Sequence, residues 1–130
     1  MVLDTNVWIR HLTGDPPEQA ELATELIATA RSLVLPDVVM AECVYVLESV
    51  YGVERWRVAE MMRSALGLIA IHQDQLRPLH SLELYETAGL DYADAYLLAY
   101  AEYGNCGPVA TFDRTLKARA ESVGVLLLDE

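Results

Sequence analysis

Four short apolar stretches of this 130-residue chain carry a carboxylate at their edge or in their middle: Asp4 in MVLDTN, Glu42 in VVMAEC, Asp94 in DYADAYLLA and Asp113 in VATFDR. Asp and Glu are among the residue types least often buried, yet each of these has apolar neighbours that folding draws toward a core. A stable fold must bring them to places where apolar segments stop and the charge is compensated. Carboxylates that converge in a partly buried site repel one another, so they take up protons or bind a cation. Mg²⁺ or Mn²⁺ suits a site of carboxylates and water that keeps positions open for phosphate oxygens, whereas zinc recruits Cys or His. Cys43 and Cys106 form no C-x-x-C pair, and His11, His72 and His80 show no ligand spacing.

Between the carboxylates the hydrophobic period changes repeatedly. VLDTN predicts a very short first strand with Asp4 at its carboxyl end, followed by a loop through Gly14 and Asp15. A helix is expected from Pro16 or Pro17, because proline is favoured in the first helical turn and Ala20, Ala23, Ile27 and Ala30 recur on one face. Residues 32–35 make a second strand. PDVVMAECVYVLESVYG reads as a helix opened by Pro36 and closed by Gly52, with Val39, Cys43, Leu47 and Val50 as its apolar stripe and Glu42 beside it. Another helix covers VERWRVAEMMRSAL, LIAIH supplies a third strand, and DQLRPLHSLELYETA is a helix begun or kinked at Pro78.

After a break at Gly89, residues 91–103 have helical periodicity through Tyr92, Ala95, Leu98 and Ala99. Asp91 and Asp94 then lie on neighbouring parts of one face, near the positive end of that helix. Residues 108–111 form a fourth strand, 115–122 a short helix and 125–128 a last strand. Strands alternating with helices imply right-handed crossovers and a largely parallel sheet of four to five strands covered on both sides, hence an α/β fold. Ligands of open sheets of this kind collect beyond the carboxyl ends of the strands, where Asp4 and Asp113 both fall.

The length fits a single domain over residues 1–130. A hydrophobic fraction of 53% is high and reserves apolar surface for a partner. No run approaches the roughly 18 apolar residues that span a bilayer, and Met1 leads straight to Asp4 without a signal peptide, so a cytoplasmic protein is expected. Both cysteines read as small buried hydrophobes of a reducing compartment. A net charge of −11 argues against broad adhesion to nucleic acid. Yet Arg10 and His11 follow Asp4, and Arg114, Lys117 and Arg119 follow Asp113, a small basic rim that suits one phosphodiester.

Singly, each acid has an ordinary role. Asp4 with Thr5 and Asn6 forms a turn, Asp91 and Asp94 cap or begin a helix, and Asp113 caps the next. Glu42 fits such a role least, since Val38, Val39, Met40, Ala41, Cys43 and Val44 surround it. The remaining acids read as surface charges on amphipathic helices.

Taken in order, from LDTN through the AEC helix and ADAYLLA to ATFDR, the set resembles the PIN-domain nucleases. More narrowly it is similar to the VapC toxins of type II toxin–antitoxin pairs, which are small single PIN domains. The resemblance implies a three-layer fold and a Mg²⁺- or Mn²⁺-dependent endoribonuclease without a side-chain nucleophile. Asp4 and Asp94 would be the principal metal ligands, Glu42 and Asp113 ligands or organisers of coordinated water, and Asp91 an auxiliary carboxylate. Asn6 and Thr111 match polar positions that support the acids by hydrogen bonds. Arg10 and Arg114 are candidates for RNA-phosphate contacts. The one departure is that the chain begins very close to Asp4.

The resemblance further implies a VapB-like antitoxin that covers the site, a homodimer, and binding of promoter DNA only through the antitoxin. Trp56, Met61, Met62 and Tyr51 are candidates for the groove that takes a partner helix. Two other readings compete. A phosphatase or phosphotransfer domain would want a second Asp two residues after Asp4, where Asn6 stands, or a late Lys after a strand. An inactive PIN-fold binding module usually loses one of the acids, and all four are present here.

Overall fold

Helices make up most of the described residues, 1–69, 75–120 and 124–128 of a computed structural model. They fall into two units, Met1–Asp74 and Gln75–Glu130. The first unit holds α1 (Thr5–Thr13), α2 (Pro17–Thr29), α3 (Asp37–Ser49) and α4 (Arg55–Leu66). α1 packs on α2, α3 and α4.

The stretch expected as a loop after Asp4 is helical instead. Asp4 caps α1, Thr5, Trp8 and Ile9 turn inward, and Gly14 closes the helix in the left-handed region at φ +73° with its N–H on Arg10 O at 2.8 Å. A residue with a Cβ disfavours that φ, so glycine belongs at this C-terminus. The first two strands shrink to one parallel bridge, Val2 with Val34, flanked by a hydrogen bond from Val34 N–H to Met1 O at 3.0 Å. Their extent is limited because Asp4 and Pro36 are already the N-caps of α1 and α3.

α2 begins after Pro16 and buries Ala20, Ala23 and Ile27 as the periodicity requires. α3 buries Met40, Cys43, Val44 and Leu47, a face rotated from the expected stripe; Val50 is 70% exposed. The reason is that α3 is apolar around most of its circumference, so spacing alone does not select the side that packs. On α4 both Met61 and Met62 are buried with Val58, Ala59, Ala65 and Leu66, which removes them from the expected partner groove; Trp56 remains exposed and donates its indole N–H to Glu54 at 2.6 Å.

The second unit pairs α5 (Leu76–Thr87) with α6 (Tyr92–Tyr103), joined by the Tyr85 and Tyr92 rings edge-on at 6.1 Å. Pro78 is accommodated in the first turn of α5, where the missing N–H would have no helical acceptor. β1 (Val109–Thr111), α7 (Arg114–Arg119) and β2 (Val125–Leu127) follow, the strands parallel with Val109 opposite Val125 and Thr111 opposite Leu127. α7 starts one residue earlier than expected, and residues 121–122 of the expected helix lie outside the described residues. So do residues 70–72 of the expected LIAIH strand, whose Leu68 and Ile69 lie in a turn. The described residues thus form an α/β arrangement with two strands and one bridge; a four- to five-stranded central sheet is not seen among them. No described helix is long and apolar enough to cross a membrane.

Candidate metal centre

Asp4 and Asp113 occupy the same local device in different units. Asp4 Oδ1 accepts the Thr5 N–H at 2.9 Å, and Asp113 Oδ1 accepts those of Thr115 and Leu116 at 2.8 and 3.3 Å. Each carboxylate satisfies donors that a helix start leaves open and faces the positive end of the dipole. Thr111 Oγ1 accepts the Asp113 N–H at 3.0 Å, so Asp113 is held from the strand side as well. Among the described residues neither Oδ2 takes a hydrogen bond, which leaves that oxygen free for a cation.

The capping role separates two effects of changing Asp113. Asp113→Asn keeps a good N-cap and removes the charge, whereas Asp113→Ala removes both. The alanine variant is expected to lose about 0.5–2 kcal/mol of stability and the asparagine variant much less, by denaturant melting.

In the first unit Glu42 is exposed on α3 beside the fully buried Cys43. Burial pushes the Cys43 thiol up to about 12, and the charges of Glu42 and Asp4 push in the same direction. The two acids therefore act on one buried sulfur. Cys43 should stay protonated and unreactive toward a disulfide reagent in the native protein at mildly alkaline pH, while the exposed Cys106 is open to that reagent. A native protein in which both thiols react equally fast would contradict this placement.

In the second unit Asp94 is half-buried in the first turn of α6. Burial raises its carboxyl above the ordinary carboxylate range, and the charges of Asp91 and Asp113 raise it further. Asp91 stands at the N-cap of α6 but makes no side-chain capping bond, contrary to its ordinary role at a helix start. Asp4, Glu42, Asp91 and Asp113 are exposed, so the expected partial burial holds for Asp94 alone. Leu3 and Thr5 turn inward on either side of Asp4, and α3 buries its Met40 and Cys43 face away from Glu42.

Asn6 and Arg10 line an open cavity of about 360 Å³ with Val7, Gln19, Leu22, Ala23 and Leu26, and Arg10 Nε donates to Gln19 Oε1 at 2.7 Å. Arg114 is exposed at the start of α7. Arg119 at the end of α7 has a role that no local pattern marks: its guanidinium donates to the carbonyls of Ala88 and Gly89. The only hint in the sequence is that α5 has no basic residue of its own in its last turn.

Among the described residues no group of three or more His, Cys, Asp or Glu is gathered as a metal-binding cluster. The donor chemistry nonetheless fits a hard divalent ion. The acids offer only oxygen, and the repulsion that Asp91 and Asp113 exert on Asp94 is the kind a bound cation relieves.

In comparisons with known proteins, no curated protein and no solved structure matches the chain. The family model of the PIN domain, whose members are generally nucleases, matches residues 1–122 and so spans all but the last few residues, from the Asp4 segment through α7. With that span and an α/β arrangement that carries Asp4, Asp94 and Asp113 at helix starts, the chain belongs to the PIN domain family.

Proposed function

We propose that the chain is a Mg²⁺- or Mn²⁺-dependent endoribonuclease in which Asp4, Glu42, Asp94 and Asp113 hold the metal, with Asp91 as an auxiliary carboxylate. The observation that carries this reading is the half-buried Asp94 carboxyl, raised by its burial and by the charges of Asp91 and Asp113, in a chain of a nuclease family. When bound, the ion supplies Lewis acidity toward a scissile phosphate and acidifies coordinated water.

The chain's own residues do the positioning. The backbone bonds to Asp4 and Asp113 fix one oxygen of each carboxylate and so aim the other. Thr111 steadies Asp113, and Asn6 stands two residues beyond Asp4 on α1. Arg10 and Arg114 are the candidates for contact with RNA phosphate. The one buried thiol, Cys43, is held protonated and is unsuited to act as a nucleophile, which agrees with a hydrolysis that uses water.

The narrower reading is a cytoplasmic toxin of the VapC kind, a homodimer neutralised by a VapB-like antitoxin that alone brings the complex to promoter DNA. Exposed Val38, Tyr45, Val50 and Trp56 in the first unit and Leu97, Tyr100 and Tyr103 in the second supply apolar surface for such partners. The net charge of −11 leaves DNA contact to the antitoxin.

The test is incubation of purified total RNA with the protein, freed of any copurified partner, in Mg²⁺ or Mn²⁺ and in EDTA. Discrete fragments that appear only with metal are the expected result. Absence of cleavage together with calorimetric absence of metal binding would leave an inactive PIN-fold binding module.

A further inference from the structure

Arg119, the last residue of α7, reaches back to the turn between α5 and α6. Its Nη1 donates to Ala88 O at 3.2 Å and to Gly89 O at 2.6 Å. Ala88 is the C-cap of α5, and no basic residue lies in the last turn of that helix. Arg119 thus brings, from about 30 residues away, the cation that carbonyls at a helix C-terminus favour.

Gly89 is matched to this contact in two ways. Its φ of +68° disfavours any side chain, and a Cβ there would stand 2.9 Å from Arg119 Nη1. Two residues further on, Asp91 begins α6, and Asp94 follows within its first turn. Asp113 caps the other end of α7. A six-residue helix is therefore anchored at its start by one of the proposed metal ligands and at its end by the turn that leads into two more.

We infer that Arg119 is a positioning residue: by tying the end of α7 to the α5–α6 turn, it sets Asp91 and Asp94 against Asp113. Its role toward a metal rests on the nuclease reading; its hold on the turn rests on the hydrogen bonds alone. Three other features of the second unit carry less. The His80–Glu102 pair at 2.8 Å and Arg77 stacked on Tyr100 at 4.2 Å point to no ligand, and Cys106 is a lone thiol.

The experiment compares wild type, Arg119→Ala and Arg119→Lys by electron paramagnetic resonance of Mn²⁺ during titration, by hydrogen exchange of residues 90–94, and by thermal melting. Arg119→Ala is expected to weaken Mn²⁺ binding by about 10–100-fold, the range seen when groups that orient metal ligands are removed. Exchange at residues 90–94 should quicken while that of α3 is unchanged. Guanidinium chloride below denaturing concentration should restore Mn²⁺ affinity to Arg119→Ala, since the lost group is itself a guanidinium, and Arg119→Lys should bind better than the alanine variant.

Unchanged Mn²⁺ affinity in Arg119→Ala overturns the inference. So does a loss that guanidinium fails to restore and that tracks a lowered melting temperature, because that is the mark of a merely structural residue. If the wild type itself binds no Mn²⁺ and cuts no RNA, the nuclease reading falls instead. Exchange at residues 90–94 then still decides whether Arg119 holds the turn: faster exchange upholds the clamp and unchanged exchange overturns it.

Discussion

Replacing Asp94 by Asn should lower metal-dependent RNA cleavage by about 100-fold or more, equivalent to roughly 2.7 kcal/mol of transition-state stabilisation, without weakening the metal-free fold. Asn has the size of Asp but lacks its charge, so the variant removes the carboxylate proposed to hold metal and little else. The direction of the stability effect follows from the carboxyl's titration. Burial, then Asp91 and Asp113, raise the Asp94 carboxyl above its ordinary value in the folded chain, so the ionised form disfavours folding relative to the unfolded chain.

An acid with a raised folded value binds its proton more tightly when folded. Stability from this group is therefore highest on the acid side and declines as pH rises from the ordinary carboxylate value through the raised one. At neutral pH Asp94→Asn should melt at or above the metal-free wild type, and the wild type alone should gain substantially from added Mn²⁺. Melting and cleavage thus move in opposite directions. An Asp94→Asn protein that still cuts RNA at the wild-type rate would remove Asp94 from the site, and one that is inactive because it unfolds would remove the stability argument.

The second large effect concerns Trp8. It is fully buried in α1, which packs on three other helices of its unit. Trp8→Ala should cost about 3–5 kcal/mol through lost apolar burial and the cavity left behind. Against a total stability on the order of 5–15 kcal/mol, that is enough to lower the melting temperature by roughly 10–20 °C. Trp8→Phe should be far milder. The Trp8 indole N–H is buried without a hydrogen-bond partner among the described residues, and an unsatisfied donor costs about 1–3 kcal/mol, so its removal offsets part of the lost volume. Thermal melting of the pair checks both statements. A Trp8→Phe loss as large as that of Trp8→Ala would overturn the second statement.

Trp8 also marks where local reading stopped. TNVWIRHLT mixes β-branched Thr5, Val7 and Ile9 with few strong helix formers, and nothing in its period separates a helix from a loop. What holds it helical is the Asp4 cap at one end, Gly14 at the other, and the burial of Trp8 and Ile9 between them. α2, by contrast, was legible because Pro16 and Pro17 mark its start and its alanines repeat at helical spacing. α3 was legible as a helix but not in its orientation: with apolar residues on most sides, Met40 and Val44 rather than Val39 and Val50 turn inward.

The same division runs through the candidate site. The order of Asp4, Glu42, Asp94 and Asp113 was visible in the chain, because carboxylates set beside apolar runs are costly unless something compensates them. Family membership follows from that order and the residues between. Four things became known only from the folded arrangement: that Asp94 alone is half-buried, that Asp91 leaves its helix uncapped, that Asp4 and Glu42 press on one buried thiol, and that Arg119 clamps the turn before α6. Identity and order of the acids are properties of neighbouring residues, which a sequence displays directly; burial, mutual repulsion and the Arg119 tether depend on residues tens of positions apart, and only tertiary packing brings those together.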